Sequence, residues 1–248
     1  MRLLLLGGTG EARALAAALL PRGIEVVSSL AGRVTNPALP VGEVRIGGFG
    51  GVDGLVEHLG REAIDAVVDA THPFAATITR NAAAAAHLTG VPLLVLRRPG
   101  WSDPDGSWTR VPDIEAAAAL AAAAPPGTVF LTTGRRDLAA FAADAGHAYL
   151  ARAVDPPETA MPPHTTVLLA RGPYRVDDET ALLHEHAVSL LITKDSGGAM
   201  TAAKLSAARA LGVPVVVVDR PPLPPGVEAV DTVDAAARWV LSLDSAGG

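Results

Sequence analysis

The sequence predicts an α/β protein made of two parallel-sheet halves related by internal duplication. Three observations predict it. Short β-rich runs alternate with Ala/Leu-rich helical stretches along the whole chain, the pattern of strands covered by crossover helices. Runs such as Val215 to Val218 are continuously apolar, as a strand must be when helices bury both of its faces. A segment also recurs. Gly90-Val91-Pro92 through Arg98-Pro99 reappears as Gly212-Val213-Pro214 through Arg220-Pro221, an offset of 122 throughout (212 minus 90, 221 minus 99). Each copy is preceded by a strand, a turn and a helix, and is followed by a Pro/Gly-rich stretch and another helix. Such units match Rossmann-like halves rather than a short-period solenoid.

Taken in order, the first strand is 2–6, an apolar run too short for a secretory signal and read as buried. The glycine-rich turn 7–13 opens a helix whose interior is Ala14 to Leu20. Strands follow at 24–28, 65–69 and 92–97, with a helix through 75–88. The second half repeats this with strands 128–132, 147–150, 188–193 and 214–219 and a helix through 199–210, giving about four strands to each half. The halves span 1–99 and 127–221. The connectors 100–126 and 222–248 carry one helix each, 113–124 and 232–243, which can cover their own half or be exchanged. Strand C-termini and their loops place the ligand site in a cleft between the halves.

Composition narrows the function. A formal net charge of -6 gives no electrostatic reason to bind nucleic acid or an anionic membrane. With no cysteine there is no disulfide, thiolate metal site or cysteine nucleophile, which fits a reducing compartment; the reading is a cytoplasmic protein. No run reaches the roughly 18 apolar residues of a membrane span. His184-x-His186 has the wrong helical spacing for a shared metal, and no metal site is expected. Oligomeric state is not legible. Eighteen arginines stand against only two lysines, Lys194 and Lys204, and both flank one glycine-containing segment.

The loops carry the chemistry. In Gly7-Gly8-Thr9-Gly10-Glu11-Ala12-Arg13, glycines let the backbone approach a pyrophosphate, and the exposed N–H groups at the helix start favour the anion. Arg13 stands where the third glycine of a G-x-G-x-x-G fingerprint belongs. The second strand ends without the acidic residue that would bind the ribose 2′-hydroxyl of NAD, and offers Ser28, Ser29 and Arg33 instead, a set that suits the 2′-phosphate of NADPH. His72, in Asp69-Ala70-Thr71-His72-Pro73-Phe74, ends the third strand and is the best-placed group for proton transfer; a purely structural turn histidine is the alternative. Thr193-Lys194-Asp195-Ser196-Gly197-Gly198, with Thr201 and Lys204, holds the equivalent place in the second half. There Lys194, Ser196, the glycine backbone and Thr201 suit an anionic substrate.

With those motifs in hand, L-G-G-T-G-E-A-R at 6–13, S-L-A-G-R at 29–33, D-A-T-H-P-F-A at 69–75, T-T-G-R at 132–135 and T-K-D-S-G-G at 193–198, the chain resembles the precorrin-6A and cobalt-precorrin-6A reductase family of cobalamin biosynthesis. The resemblance implies hydride transfer from a reduced nicotinamide to a carbon–carbon double bond of the precorrin-6A macrocycle, giving precorrin-6B. It implies Gly8, Thr9, Gly10 and Glu11 on the pyrophosphate, Ser28 and Arg33 on the 2′-phosphate, and His72, Pro73 and Phe74 beside the nicotinamide. It further implies Lys194, Asp195, Ser196, Gly197, Thr201 and Lys204 on the tetrapyrrole. His72, Asp195 and Lys194 are the candidate catalytic groups, and the proton donor among them, or water, is left open. Two other enzyme readings are another NADP-dependent reductase of an anionic substrate and a short-chain dehydrogenase. The latter lacks its Tyr-x-x-x-Lys pair, since Ala153 and Asp178 stand four residues after Tyr149 and Tyr174. A non-catalytic NADPH-sensing protein would leave the lysine-bearing loop without a role.

Overall fold

The computed structural model describes residues 1–32 and 39–246. In chain order the elements are β1 (Arg2–Leu6), α1 (Gly10–Leu19), β2 (Glu25–Leu30), β3 (Glu43–Ile46), α2 (Val52–Arg61), β4 (Ala66–Asp69), α3 (Ala76–Thr89) and β5 (Leu93–Leu96). Next come β6 (Thr109–Val111), α4 (Ile114–Ala123), β7 (Thr128–Thr132), β8 (Ala148–Ala153), β9 (Thr165–Leu169), α5 (Val176–Glu185) and β10 (Val188–Lys194). The chain closes with α6 (Ala203–Leu211), β11 (Val215–Val218), β12 (Glu228–Val230) and α7 (Val233–Ala246). None of the described helices is long and apolar enough to cross a membrane.

The strands form two six-stranded sheets, β12-β5-β4-β1-β2-β3 and β6-β11-β10-β7-β8-β9. Every pairing in both is parallel. The chain divides into two compact units, one of Met1–Pro99 with Pro221–Gly248 and one of Gly100–Arg220. The sheets share one order, the 3-2-1-4-5-6 winding of dinucleotide-binding folds. In each, the sixth strand comes from the other half of the sequence: β12 pairs with β5, and β6 pairs with β11. The connector helices follow their strands, so α7 packs on α1 and α4 packs beside β11.

Six strands to a sheet, rather than about four, corrects the count read from sequence. The four additional strands, β3, β6, β9 and β12, are the outermost in their sheets. Each has a single neighbour and is half exposed, so none shows the unbroken apolar run of a central strand.

The leucine run of the first strand shows why central strands read clearly. Leu3 and Leu5 pack with Leu15, Leu19, Ala236 and Val240 on the α1/α7 face, while Leu4 and Leu6 pack with Leu55, Leu59 and Ala82 on the α2/α3 face. Alternate side chains point to opposite faces, and both faces are buried. The recurring Gly-Val-Pro also gains a physical meaning. Gly90 (φ 74°) and Gly212 (φ 67°) are left-handed residues that end α3 and α6, and the prolines after them start the next strand. The carbonyl of Pro92 accepts from Val67 N–H and that of Pro214 from Leu191 N–H, both at 2.9 Å.

Candidate functional site

In the first unit the order reverses between β1 and β4, the switch point at which such sheets bind ligands. The turn after β1 is braced on both sides. Gly7 N–H donates to Ser29 O at 2.9 Å and Ala70 N–H to Leu6 O at 2.9 Å. Gly8 has φ +116°, which side chains rarely adopt, and among the described residues no atom beyond its chain neighbours lies within 4 Å of the space a Cβ would take. α1 starts at Gly10, and Arg13 curls back so that its Nη2 lies 3.9 Å from the position a Gly10 Cβ would occupy. Thr9 is 8% exposed; its hydroxyl accepts from Ala12 N–H at 3.1 Å and donates to Ala70 O at 2.7 Å. That hydroxyl therefore caps the helix and stitches the two switch-point loops together. Glu11 does not stand alone either: its Oε2 pairs with Arg98 Nη1 at 2.8 Å.

Asp69 explains the shape of the second loop. It is 2% exposed. Oδ1 accepts from Thr71 N–H at 3.0 Å and from the Thr71 hydroxyl at 2.6 Å, while Oδ2 accepts from the Thr79 hydroxyl at 2.6 Å. The carboxylate thus ties the end of β4 to the loop and to α3. The loop then folds on itself: Ala75 N–H donates to His72 O at 2.7 Å, and Phe74 N–H donates to His72 Nδ1 at 3.3 Å. With Nδ1 accepting, the proton of a neutral His72 ring is on Nε2. The His72 and Phe74 rings lie 5.9 Å apart, so His72, Pro73 and Phe74 form one compact ledge.

Two residues expected on the 2′-phosphate, Ser28 and Arg33, belong to the end of β2 and the segment after it. Ser28 is 1% exposed, two residues short of the strand end, and its hydroxyl has no partner among the described residues. Arg33 lies outside the described residues. A residue that sequence reading missed stands nearby. Arg45, level with Ser29 in the parallel register, donates to Ser29 Oγ (3.3 Å), Gly47 O (2.8 Å) and Gly48 O (2.6 Å), and stacks 3.9 Å above Phe49. It holds the glycine-rich loop 47–51 against β2. Its position on a short edge strand gave no sequence signal.

The second unit has its own switch point between β7 and β10. Lys194, at the end of β10, pairs with Asp137. Ser196 folds back onto the Lys194 carbonyl through its N–H at 2.7 Å and its hydroxyl at 3.4 Å, and Gly197 and Gly198 take φ of 66° and 78°. Two of the residues expected on the substrate, Asp195 and Lys204, are engaged within the protein. Asp195 is 5% exposed; its carboxylate accepts from Trp101 N–H at 3.0 Å and Arg110 Nη2 at 3.0 Å, and its carbonyl accepts from Arg220 Nε at 2.7 Å. Held by an amide and two arginines, it organises the loop. Lys204 is 4% exposed; its Nζ donates to Thr201 O at 2.7 Å and lies 4.6 Å from the Trp101 ring centre. It is the second residue of α6, its side chain is buried, and its ammonium holds the carbonyl of Thr201. Burial pushes its pKa down to about 7; Arg152 adds to the fall and Glu179 opposes it.

Two groups of residues are thus assembled, each within its own unit: the 7–13 turn, Arg98 and the 72–74 ledge in the first, and Lys194, Asp137 and the 196–198 turn in the second. A family model described as "Precorrin-6x reductase CbiJ/CobK" matches residues 2–241. The chain is 60% identical to a precorrin-6A reductase of Rhodococcus erythropolis over 98% of each chain, and 57% identical to one of Mycobacterium tuberculosis over 98% of this chain and 99% of that protein. A solved structure titled "CobK precorrin-6A reductase" superposes with a TM-score of 0.90 at 45% identity, covering 98% of this chain and 97% of that one.

Proposed function

The chain belongs to the precorrin-6x reductase (CbiJ/CobK) family, and from that premise we propose that it reduces precorrin-6A, in cobalamin biosynthesis, with NADPH held at the switch point of its first unit. The observation that carries the cofactor assignment is the Gly8 turn. It lies at the end of β1, at the reversal of a 3-2-1-4-5-6 sheet, with a backbone conformation only glycine readily adopts and with the N-terminus of a ten-residue helix behind it. Those features fit a dinucleotide pyrophosphate.

When bound, NADPH would supply the hydride; alignment and the proton are the protein's part. Gly8, Gly10 and the start of α1 would bind the pyrophosphate, and the ledge of His72, Pro73 and Phe74 would border the nicotinamide. Hydride addition to one carbon of the double bond leaves the other to take a proton, giving precorrin-6B. The ammonium of Lys194, the imidazolium form of His72 with its Phe74 N–H contact released, or water would deliver it, and Asp195, committed to two arginines, would not. Lys194, Ser196, Gly197 and Thr201 would meet substrate carboxylates. Carboxylate entry would compete with Asp137 for Lys194.

Cofactor preference tests the reading. Arg33→Ala is expected to weaken NADPH binding by about tenfold to a hundredfold, the worth of a charge-assisted phosphate contact, and to leave NADH binding unchanged. Titration of both dinucleotides into both proteins measures it; equal losses for the two would remove Arg33 from the 2′-phosphate.

A further inference from the structure

Glu11 poses a difficulty for a phosphate-binding turn. It stands in the first turn of α1, and a carboxylate there repels the diphosphate that the helix start would otherwise attract. Thr9 offers no compensation, because its hydroxyl already serves Ala12 and Ala70. The pairing partner of Glu11 resolves the difficulty. Arg98 follows β5, 87 residues away in sequence, and its Nη1 lies 2.8 Å from Glu11 Oε2. The two side chains are 17% and 28% exposed, so the pair is sheltered yet reachable from solvent. A guanidinium is a planar fork that can hold a carboxylate and a phosphate oxygen together.

We infer that Arg98 is a ligand of the cofactor pyrophosphate, and that Glu11 is the positioning residue that holds its guanidinium at the start of α1. The inference rests on the dinucleotide reading of the first unit. It changes what the acidic residue of the turn does: Glu11 sets the place and angle of a cation instead of touching phosphate. It also gives the repeat a functional content. Arg220, at the Arg98 position of the second copy, likewise reaches a loop at its own switch point, donating to Asp195 O at 2.7 Å.

The test is titration of NADPH and NADH into the wild type, Arg98→Ala, Arg98→Lys, Glu11→Gln and the Arg98→Ala/Glu11→Gln double variant, with thermal unfolding of each protein recorded. Arg98→Ala is expected to weaken both dinucleotides by the same factor, about tenfold or more, because the pyrophosphate is common to them. Arg98→Lys recovers part of the loss, keeping the charge without the fork. Glu11→Gln weakens both by a smaller factor, and the double variant binds no more weakly than Arg98→Ala alone. In turnover the KM for NADPH rises while kcat holds. Unchanged affinity in Arg98→Ala, a loss confined to NADPH, or tighter binding by Glu11→Gln would each overturn the inference. If Arg98→Ala does not fold, Arg98→Lys and Glu11→Gln decide. A wild type that binds neither dinucleotide removes the cofactor reading and the inference together; one that binds both, with Arg98→Ala equally tight, removes the inference alone.

Discussion

Asp69→Ala is expected to lower kcat/KM for precorrin-6A by roughly 100-fold, the scale of loss that follows when a positioned group moves by about 1 Å. Asp69 touches neither substrate nor cofactor in the proposed mechanism. It accepts three hydrogen bonds, two from Thr71 and one from Thr79, and these fix the ledge of His72, Pro73 and Phe74 to the end of β4. Alanine leaves the Thr71 amide and the hydroxyls of Thr71 and Thr79 without this acceptor, at about 1–3 kcal/mol for each buried group left unpaired. Asp69→Asn has the same shape and can still accept at one oxygen, so it should keep activity within about tenfold of the wild type. Steady-state kinetics with unfolding midpoints for both variants measure this. Full activity in a folded Asp69→Ala protein would mean the ledge is held without it.

Arg152→Met should give the largest loss of stability in the second unit, about 3–5 kcal/mol. Arg152 and Glu179 form a two-pronged pair, Nη1 to Oε2 at 3.0 Å and Nη2 to Oε1 at 2.7 Å. Their side chains are only 8% and 3% exposed, and the guanidinium also packs 4.2 Å from the Tyr174 ring centre and 4.8 Å from that of Phe130. Methionine fills much of the volume and strands the Glu179 carboxylate in the core. Adding Glu179→Gln to Arg152→Met should recover a large part of the loss, because the stranded charge is then gone. Denaturant unfolding measures both, and a change below about 1 kcal/mol in Arg152→Met would show that water reaches Glu179.

The same cluster gives the protein a pH signature through Lys204. Its folded pKa is about 7, below the value of 10.5 for an unperturbed lysine, so between those pH values the unfolded chain holds a proton that the folded chain has released. Stability from this group therefore rises with pH across that window, as the cost of a buried ammonium is relieved. Below pH 7 the cost is present in full. Lys204→Met should remove the rise.

Much of the fold was legible because the repeat constrains it. A constant offset of 122, with glycine ending a helix and proline opening a strand in each copy, requires two similar units. The central strands announced themselves through residues such as Leu3 to Leu6, buried on both faces. The edges were less visible. β6 and β12 are three residues long and mostly exposed, and nothing in the alanine-rich helices after them encodes which sheet they join. The exchange of sixth strands is a property of three-dimensional pairing, not of local composition.

Site residues divide in the same way. Loop position was readable from motif order, so the turn at Gly8 and the segment at Lys194 lie where strand ends were expected. Side-chain direction was not. Asp195 and Lys204 sit in the right loop region but turn inward, to Arg110 and to the Thr201 carbonyl. The pairing of Glu11 with Arg98 left no local signal because the two are distant in sequence, and Arg45 was hidden on an edge strand.

The most direct test of the central claim is single-turnover reduction: mix the protein with NADPH and authentic precorrin-6A, follow the loss of reduced-nicotinamide absorbance and weigh the product. NADPH oxidation is expected to be equimolar with precorrin-6A, with a product heavier by two hydrogens. Tight NADPH binding with no oxidation in the presence of substrate would contradict it, leaving a nucleotide-binding protein without the reductase chemistry.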